Sequence, residues 1–106
     1  NMNTGYQVTF FTQQDRTHSQ QPLAQWLVAK AAELGLPGAT LNGALEGLGH
    51  DGRVHSLNMY DFSDQPVQIV MILGEDEYER LMAALKEEGV TVFYTRTRVE
   101  YETLNG

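Results

Sequence analysis

The segment Val67-Gln68-Ile69-Val70-Met71-Ile72-Leu73 is apolar at both odd and even positions, Gln68 excepted. A strand with one wet face alternates polar and apolar residues, whereas one apolar on both parities is covered on both faces. The pattern predicts a central, doubly covered strand over 67–73. Everything else in the chain must be arranged around it.

Its flanks are punctuated. Ser63-Asp64-Gln65-Pro66 reads as a turn leading in. After it, Glu75, Asp76, Glu77 and Glu79 place negative charge where a helix N-terminus favours it. Tyr78, Leu81, Met82 and Leu85 then fall on one helical face, Lys86 sits in the last turn and Gly89 stops the helix. Val90 to Tyr101, rich in Val, Thr, Phe and Tyr, reads as a closing strand.

The N-terminal half repeats this order. Tyr6, Val8 and Phe10 alternate with Gln7 and Thr9, as in a half-buried strand. Thr12 to Gln21 is polar without periodic apolar signal and reads as a loop. Pro22 suits the first turn of a helix. Leu23, Trp26, Leu27, Ala31 and Leu34 line one face of that helix, Gly35 ends it, and Pro37 blocks its continuation. Ala39, Leu41, Gly43 and Leu45 alternate with polar or small residues as a second strand, with Gly43 allowing a close backbone approach. Glycines 47, 49 and 52 break the pattern, and 54–62 is strand-like but ambiguous.

The order β-α-β-(extended)-β-α-β predicts an α+β, ferredoxin-like βαββαβ fold. Two helices would cover one face of a four-stranded antiparallel sheet. The 106 residues fit a single domain spanning 1–106 with a sizeable core. The other sheet face, carrying Val70 and Ile72, would then need a partner, which predicts an oligomer.

A net charge of −7 repels phosphate backbones and anionic lipid, so nucleic-acid and membrane-surface roles are disfavoured. Absence of cysteine excludes disulfides and thiolate metal sites and fits a reducing compartment; the expected location is cytoplasmic. The longest nearly unbroken apolar run, Ile69 to Leu73, is far short of the roughly 20 residues that cross a bilayer. No basic stretch precedes an apolar N-terminal region, so no signal peptide is expected.

Six of ten glycines lie between Gly35 and His55. Gly47-Leu48-Gly49-His50-Asp51-Gly52 spells G-x-G-x-x-G, but Arg53-Val54-His55-Ser56-Leu57 follows, with neither helical period nor cap. A dinucleotide fingerprint needs a helix opening at that point, so the match reads as a glycine turn. His50 and His55 flank Arg53, yet a separation of five suits neither a strand face nor a helix face as metal ligands. Arg96 and Arg98 share one face of the last strand; guanidinium forks suit phosphate or carboxylate ligands, and equally suit the chain's many carboxylates. No nucleophile elbow or triad is recoverable, so the chain is not expected to be an enzyme, and no cofactor is implied.

The segment Gly38-Ala39-Thr40-Leu41, Gly43, Glu46-Gly47-Leu48-Gly49, Val54-His55 and Asp64-Gln65-Pro66-Val67 resembles a PII-like family known as domain of unknown function 190. The helix opened by Pro22-Leu23 and closed by Leu34-Gly35-Leu36 also matches, and the likeness runs from Tyr6 to Tyr101. The resemblance implies a homotrimeric, non-catalytic signalling protein. It would sense a small effector, an adenine nucleotide among the candidates, and contact a protein target such as a membrane transporter through the loop at 47–66. Gly47, Gly49, His50, Arg53 and His55 thereby become candidate ligand or partner contacts, beside Arg96 and Arg98. The sequence departs from the PII pattern at Lys86-Glu87-Glu88-Gly89-Val90, where PII proteins carry a glycine- and lysine-rich phosphate loop. Two carboxylates there oppose phosphate, which leaves the effector open. The alternative is a metal-responsive trimer of related fold that uses His50 and His55.

Overall fold

A computed structural model describes residues 1–43 and 65–106. The elements are β1 (Asn3–Gln13), β2 (Thr17–His18), β3 (Gln21–Pro22), α1 (Leu23–Glu33), β4 (Thr40–Gly43), β5 (Pro66–Gly74), α2 (Glu75–Glu88) and β6 (Phe93–Tyr101). Four strands form an antiparallel sheet in the order β4-β5-β1-β6, and β2 and β3 make a separate hairpin. With that hairpin set aside, the order is the ferredoxin-like βαββαβ arrangement.

β5 and β1 are the two inner strands, which is where the apolar run predicts β5 to be. Side chains alternate across a sheet, and Val67, Ile69, Met71 and Leu73 of β5 join Val8 and Phe10 of β1 in the core. Leu23, Trp26, Leu27 and Ala31 of α1 and Tyr78, Leu81, Met82 and Leu85 of α2 close it from one side. The α2 stripe is the one expected from its spacing; in α1 four of the five expected residues are buried, Leu34 lies just past the helix end and is half-buried, and Ala24 is buried beside them. Gly35 and Gly89 adopt φ of 73° and 71° beyond the helix ends, a conformation that costs glycine little. At the start of α2 the Glu77 carboxylate accepts the Gly74 N–H at 2.8 Å, satisfying a donor that the helix leaves free.

Within one chain β5 is covered on a single face. Val70 and Ile72 point away from the helices and are only half-buried, beside Thr9 and Gln7 of β1. The same outer face carries Phe11 and Phe93, whose rings lie 5.7 Å apart, with Phe93 70% exposed. The double cover expected of 67–73 is therefore not supplied by the chain's own helices.

The polar stretch expected as a loop is more ordered than its composition indicates. β1 continues to Gln13, and Thr17 pairs with Pro22 and His18 with Gln21 around a two-residue turn. Ser19 and Gln20 both have positive φ, 54° and 67°, as a tight hairpin turn requires. Neither residue type announces such a turn, since asparagine and glycine usually occupy it. At the other end of the sequence, β6 begins at Phe93 rather than Val90, because Gly89 and Val90 are still tied to α2 through the carbonyls of Lys86 and Leu85.

Candidate functional site

One end of the sheet gathers several chain crossings. β1 leaves the sheet at Gln13, and the Gln14 N–H donates to the Gln65 carbonyl at 2.9 Å. Gln65 leads into β5, and Gly43 closes β4 opposite Val67, so both attachments of segment 44–64 lie at this end. The Arg16 carbonyl accepts the Leu23 N–H at 2.8 Å, folding the β2–β3 hairpin against the start of α1. The Arg16 guanidinium in turn reaches the Thr91 carbonyl at 3.4 Å, across the connection from α2 to β6.

Between these pieces lies a cavity of about 220 Å³. Arg16, Thr17 and His18 line it from the hairpin and Gly89, Val90 and Thr91 from the α2–β6 connection, together with Leu23 of α1. Its lining offers an exposed guanidinium, a hydroxyl, an imidazole and backbone groups of a helix end, a mixture that suits a small polar ligand. His18 packs edge-on against Trp26 with ring centres 4.5 Å apart, and its Nε2 lies 3.7 Å from the Glu88 carboxylate.

Arg96 and Arg98 do share a face of β6, and it is the helix side. The Arg96 guanidinium lies over the rings of Tyr6 and Tyr78 at 4.5 and 5.0 Å. Arg98 is 5.3 Å from the Tyr6 ring, donates to the Tyr6 hydroxyl at 3.0 Å and pairs with the Glu75 carboxylate at 2.8 Å. That pairing, by hydrogen bond and by charge, raises the Arg98 pKa above its ordinary value. The Tyr78 hydroxyl, 3.0 Å from that of Tyr94, completes an aromatic–guanidinium cluster.

The cluster and the cavity are separate. Phe93 pairs with Phe11 near the cavity end, while Arg98 pairs with Tyr6, five residues further along. At about 3.3 Å per residue this is roughly 16 Å. Gly47, Gly49, His50, Arg53 and His55 lie outside the described residues, as does the strand-like stretch 54–62. Among the described residues no three His, Cys, Asp or Glu side chains are grouped to hold a metal. Arg16 and the cavity wall are not among the sequence candidates. Their one signal is a polar Asp-Arg-Thr-His stretch just ahead of the helix-opening proline.

Residues 5–101 match the protein family described as DUF190, Uncharacterized ACR, COG1993. The chain belongs to this family. No curated protein matches the sequence. Among solved structures, this DUF190 chain is similar to a PII-like signalling protein from Thermus thermophilus, at 22% identity and a TM-score of 0.64, covering 95% of this chain and 92% of that one. It is also similar to CPII from Thiomonas intermedia, solved bound to ADP, AMP and acetate. That match has 15% identity and a TM-score of 0.56, with 97% and 93% of the two chains covered. The fold of this DUF190 member is thus that of PII-like signalling proteins. Among the described residues no helix is long and apolar enough to cross a membrane.

Proposed function

We propose that the chain is a non-catalytic PII-like signalling subunit that assembles as a homotrimer. It takes a small ligand at the cavity between the β2–β3 hairpin and the α2–β6 connection. It reports occupancy to a partner protein through residues 47–66. One observation carries this reading: the cavity lies at the sheet end to which segment 44–64 is attached, and Gln14, two residues before Arg16, is bonded to Gln65 at the segment's return. A ligand touching Arg16 and the hairpin therefore acts on the same backbone that anchors the segment.

An adenine nucleotide is the first ligand to test, because CPII, of similar fold, was solved with ADP and AMP. Arg16, and Arg53 from the segment itself, are the cations we assign to its phosphates. Glu87 and Glu88 at the C-terminal end of α2, beside that connection, disfavour additional phosphate charge, so AMP and ADP should bind ahead of ATP. The half-buried Val70 and Ile72 and the exposed Phe93 support assembly, since a subunit face of this kind buries against another copy.

The test is a thermal-shift and calorimetric panel of AMP, ADP, ATP, phosphate and acetate on the wild-type chain. The reading expects a shift with at least one nucleotide, weakened about tenfold or more in affinity by Arg16→Ala, since a charge-assisted bond contributes roughly 1.5–3 kcal/mol. No response to any of these ligands removes the sensing role. A response unaffected by Arg16→Ala removes the cavity as its site.

A further inference from the structure

His18 sits in an arrangement that ligand binding alone does not account for. Its Nε2 is shut off from solvent and has no hydrogen-bond partner among the described residues. A buried ring nitrogen without a partner is costly. The nearest carboxylate oxygen, Oε1 of Glu88, is 3.7 Å away, beyond a good hydrogen bond but within reach of a small rotation. The Glu88 side chain is 41% exposed.

The surrounding charges form a row. Oε2 of Glu88 lies 3.9 Å from Nζ of Lys30, and that ammonium lies 3.4 Å from the Glu33 carboxylate. Lys30 also stands over the Trp26 ring at 5.4 Å, while the His18 ring meets Trp26 edge-on. With His18 neutral the row Glu88, Lys30, Glu33 carries one negative charge in excess. A proton on His18 balances it, and the C-terminal end of α2, where Glu88 sits, favours a cation. Arg16 on the hairpin side works against that proton, as does the partial burial of the ring. Gln21, paired with His18 across the hairpin, is uncharged.

We propose that His18 and Glu88 form a proton-operated latch between the β2–β3 hairpin and the end of α2. With His18 neutral, the tie to Glu88 is no more than an uncharged hydrogen bond through the Nε2–H tautomer, and the hairpin is held mainly by Trp26 packing and the backbone bond from Leu23 to Arg16. With His18 protonated, Nε2–H donates to Glu88 and the hairpin is fastened to α2. Histidine is the side chain whose charge changes in the range where this matters. The hairpin turn, with Ser19 and Gln20 at positive φ, is under backbone strain, so an additional tie shifts its balance readily. The hairpin is also a wall of the cavity, so acidity becomes an input to the ligand site. That last step rests on the reading of the cavity above; the latch does not.

The latch is tested without any ligand. Melting temperatures are measured at about pH 8 and about pH 5.5 for the wild type, His18→Gln, Glu88→Gln and the double variant. A protonated, paired histidine adds stability below its unfolded pKa and loses it as pH rises. The wild type should therefore gain about 2–5 °C relative to Glu88→Gln on acidification. His18→Gln should abolish that difference. An NMR titration of the His18 ring should move to lower pH in Glu88→Gln, a readout that survives if His18→Gln folds poorly. Equal acid responses in wild type and Glu88→Gln, or an unmoved His18 titration, overturn the latch.

Discussion

Arg98 joins the last strand to the first residue of α2, its Nη2 lying 2.8 Å from Oε2 of Glu75. The two residues are distant in sequence and meet because the helix-side face of edge strand β6 lies beside the first turn of α2. The other arm of the same guanidinium donates to the Tyr6 hydroxyl, so one side chain ties β6, β1 and α2 together. Arg98 is therefore occupied within the chain, whatever else it contacts in an assembly.

Because the pair is exposed, its effect should be modest and dependent on salt. Glu75→Gln should lower the melting temperature at low ionic strength. The difference should close in about 1 M NaCl, where the Debye length falls to roughly 3 Å. Calorimetry at the two salt concentrations checks this, and a difference that survives high salt would assign Glu75 a role other than charge.

Tyr78 makes a different kind of tie. Its ring is buried against Tyr6, and burial followed by the hydrogen bond with Tyr94 pushes its ionisation above the ordinary value of 10.0, with Arg96 pulling the other way. A pKa raised on folding means that the unfolded chain releases this proton first as pH rises. The contribution of Tyr78 is thus complete below about pH 10 and lost as pH climbs through its folded value. Phenolate absorbance should show a late-ionising tyrosine that Tyr78→Phe removes. The same variant should cost about 0.5–1.5 kcal/mol at neutral pH.

The elements with strong periodicity are legible in the sequence. The stripe Tyr78, Leu81, Met82 and Leu85 is buried as its spacing predicts, and Gly35 and Gly89 end their helices with positive φ. Thr12 reads as loop, yet it is a buried strand residue because β1 runs on beside β5. The β2–β3 hairpin is hidden because Ser19 and Gln20 carry no turn signature. Glu75 has a sufficient local explanation, charge at a helix N-terminus, which conceals its pairing with Arg98. The cavity is illegible for a related reason: Arg16 and Thr91 meet only through the tertiary fold.

Gln20 is the residue of the hairpin turn with φ of 67°. A non-glycine residue held in that region costs of order 1 kcal/mol. Gln20→Gly should relieve it and raise the melting temperature by about 4–8 °C per kcal/mol recovered, at fixed protein concentration. A variant that melts lower would indicate that the Gln20 side chain contributes more than its backbone costs.

Gly5 tests the register of the two inner strands. It pairs with Gly74, and a Cβ added at Gly5 would run into the Leu73 carbonyl oxygen. Backbone cannot yield as a flexible side chain does, so β1 and β5 would have to part locally. Gly5→Ala should destabilise the chain by about 1–3 kcal/mol in a denaturant titration, although alanine is the better strand and helix residue elsewhere. An unchanged midpoint would contradict the β1–β5 register.

Ile72 tests the proposed assembly. It lies on the face away from the helices, opposite Gln7, and is half-buried in the single chain. A lysine there reaches water in a monomer and costs that state little. Buried against a second copy, the same ammonium loses its hydration without a compensating partner, a penalty of several kcal/mol. Ile72→Lys should therefore leave the far-ultraviolet circular dichroism intact while reducing the light-scattering mass from that of three chains to that of one. A wild type that already scatters as one chain, or a variant that keeps the full mass, would show that subunits do not meet through this face.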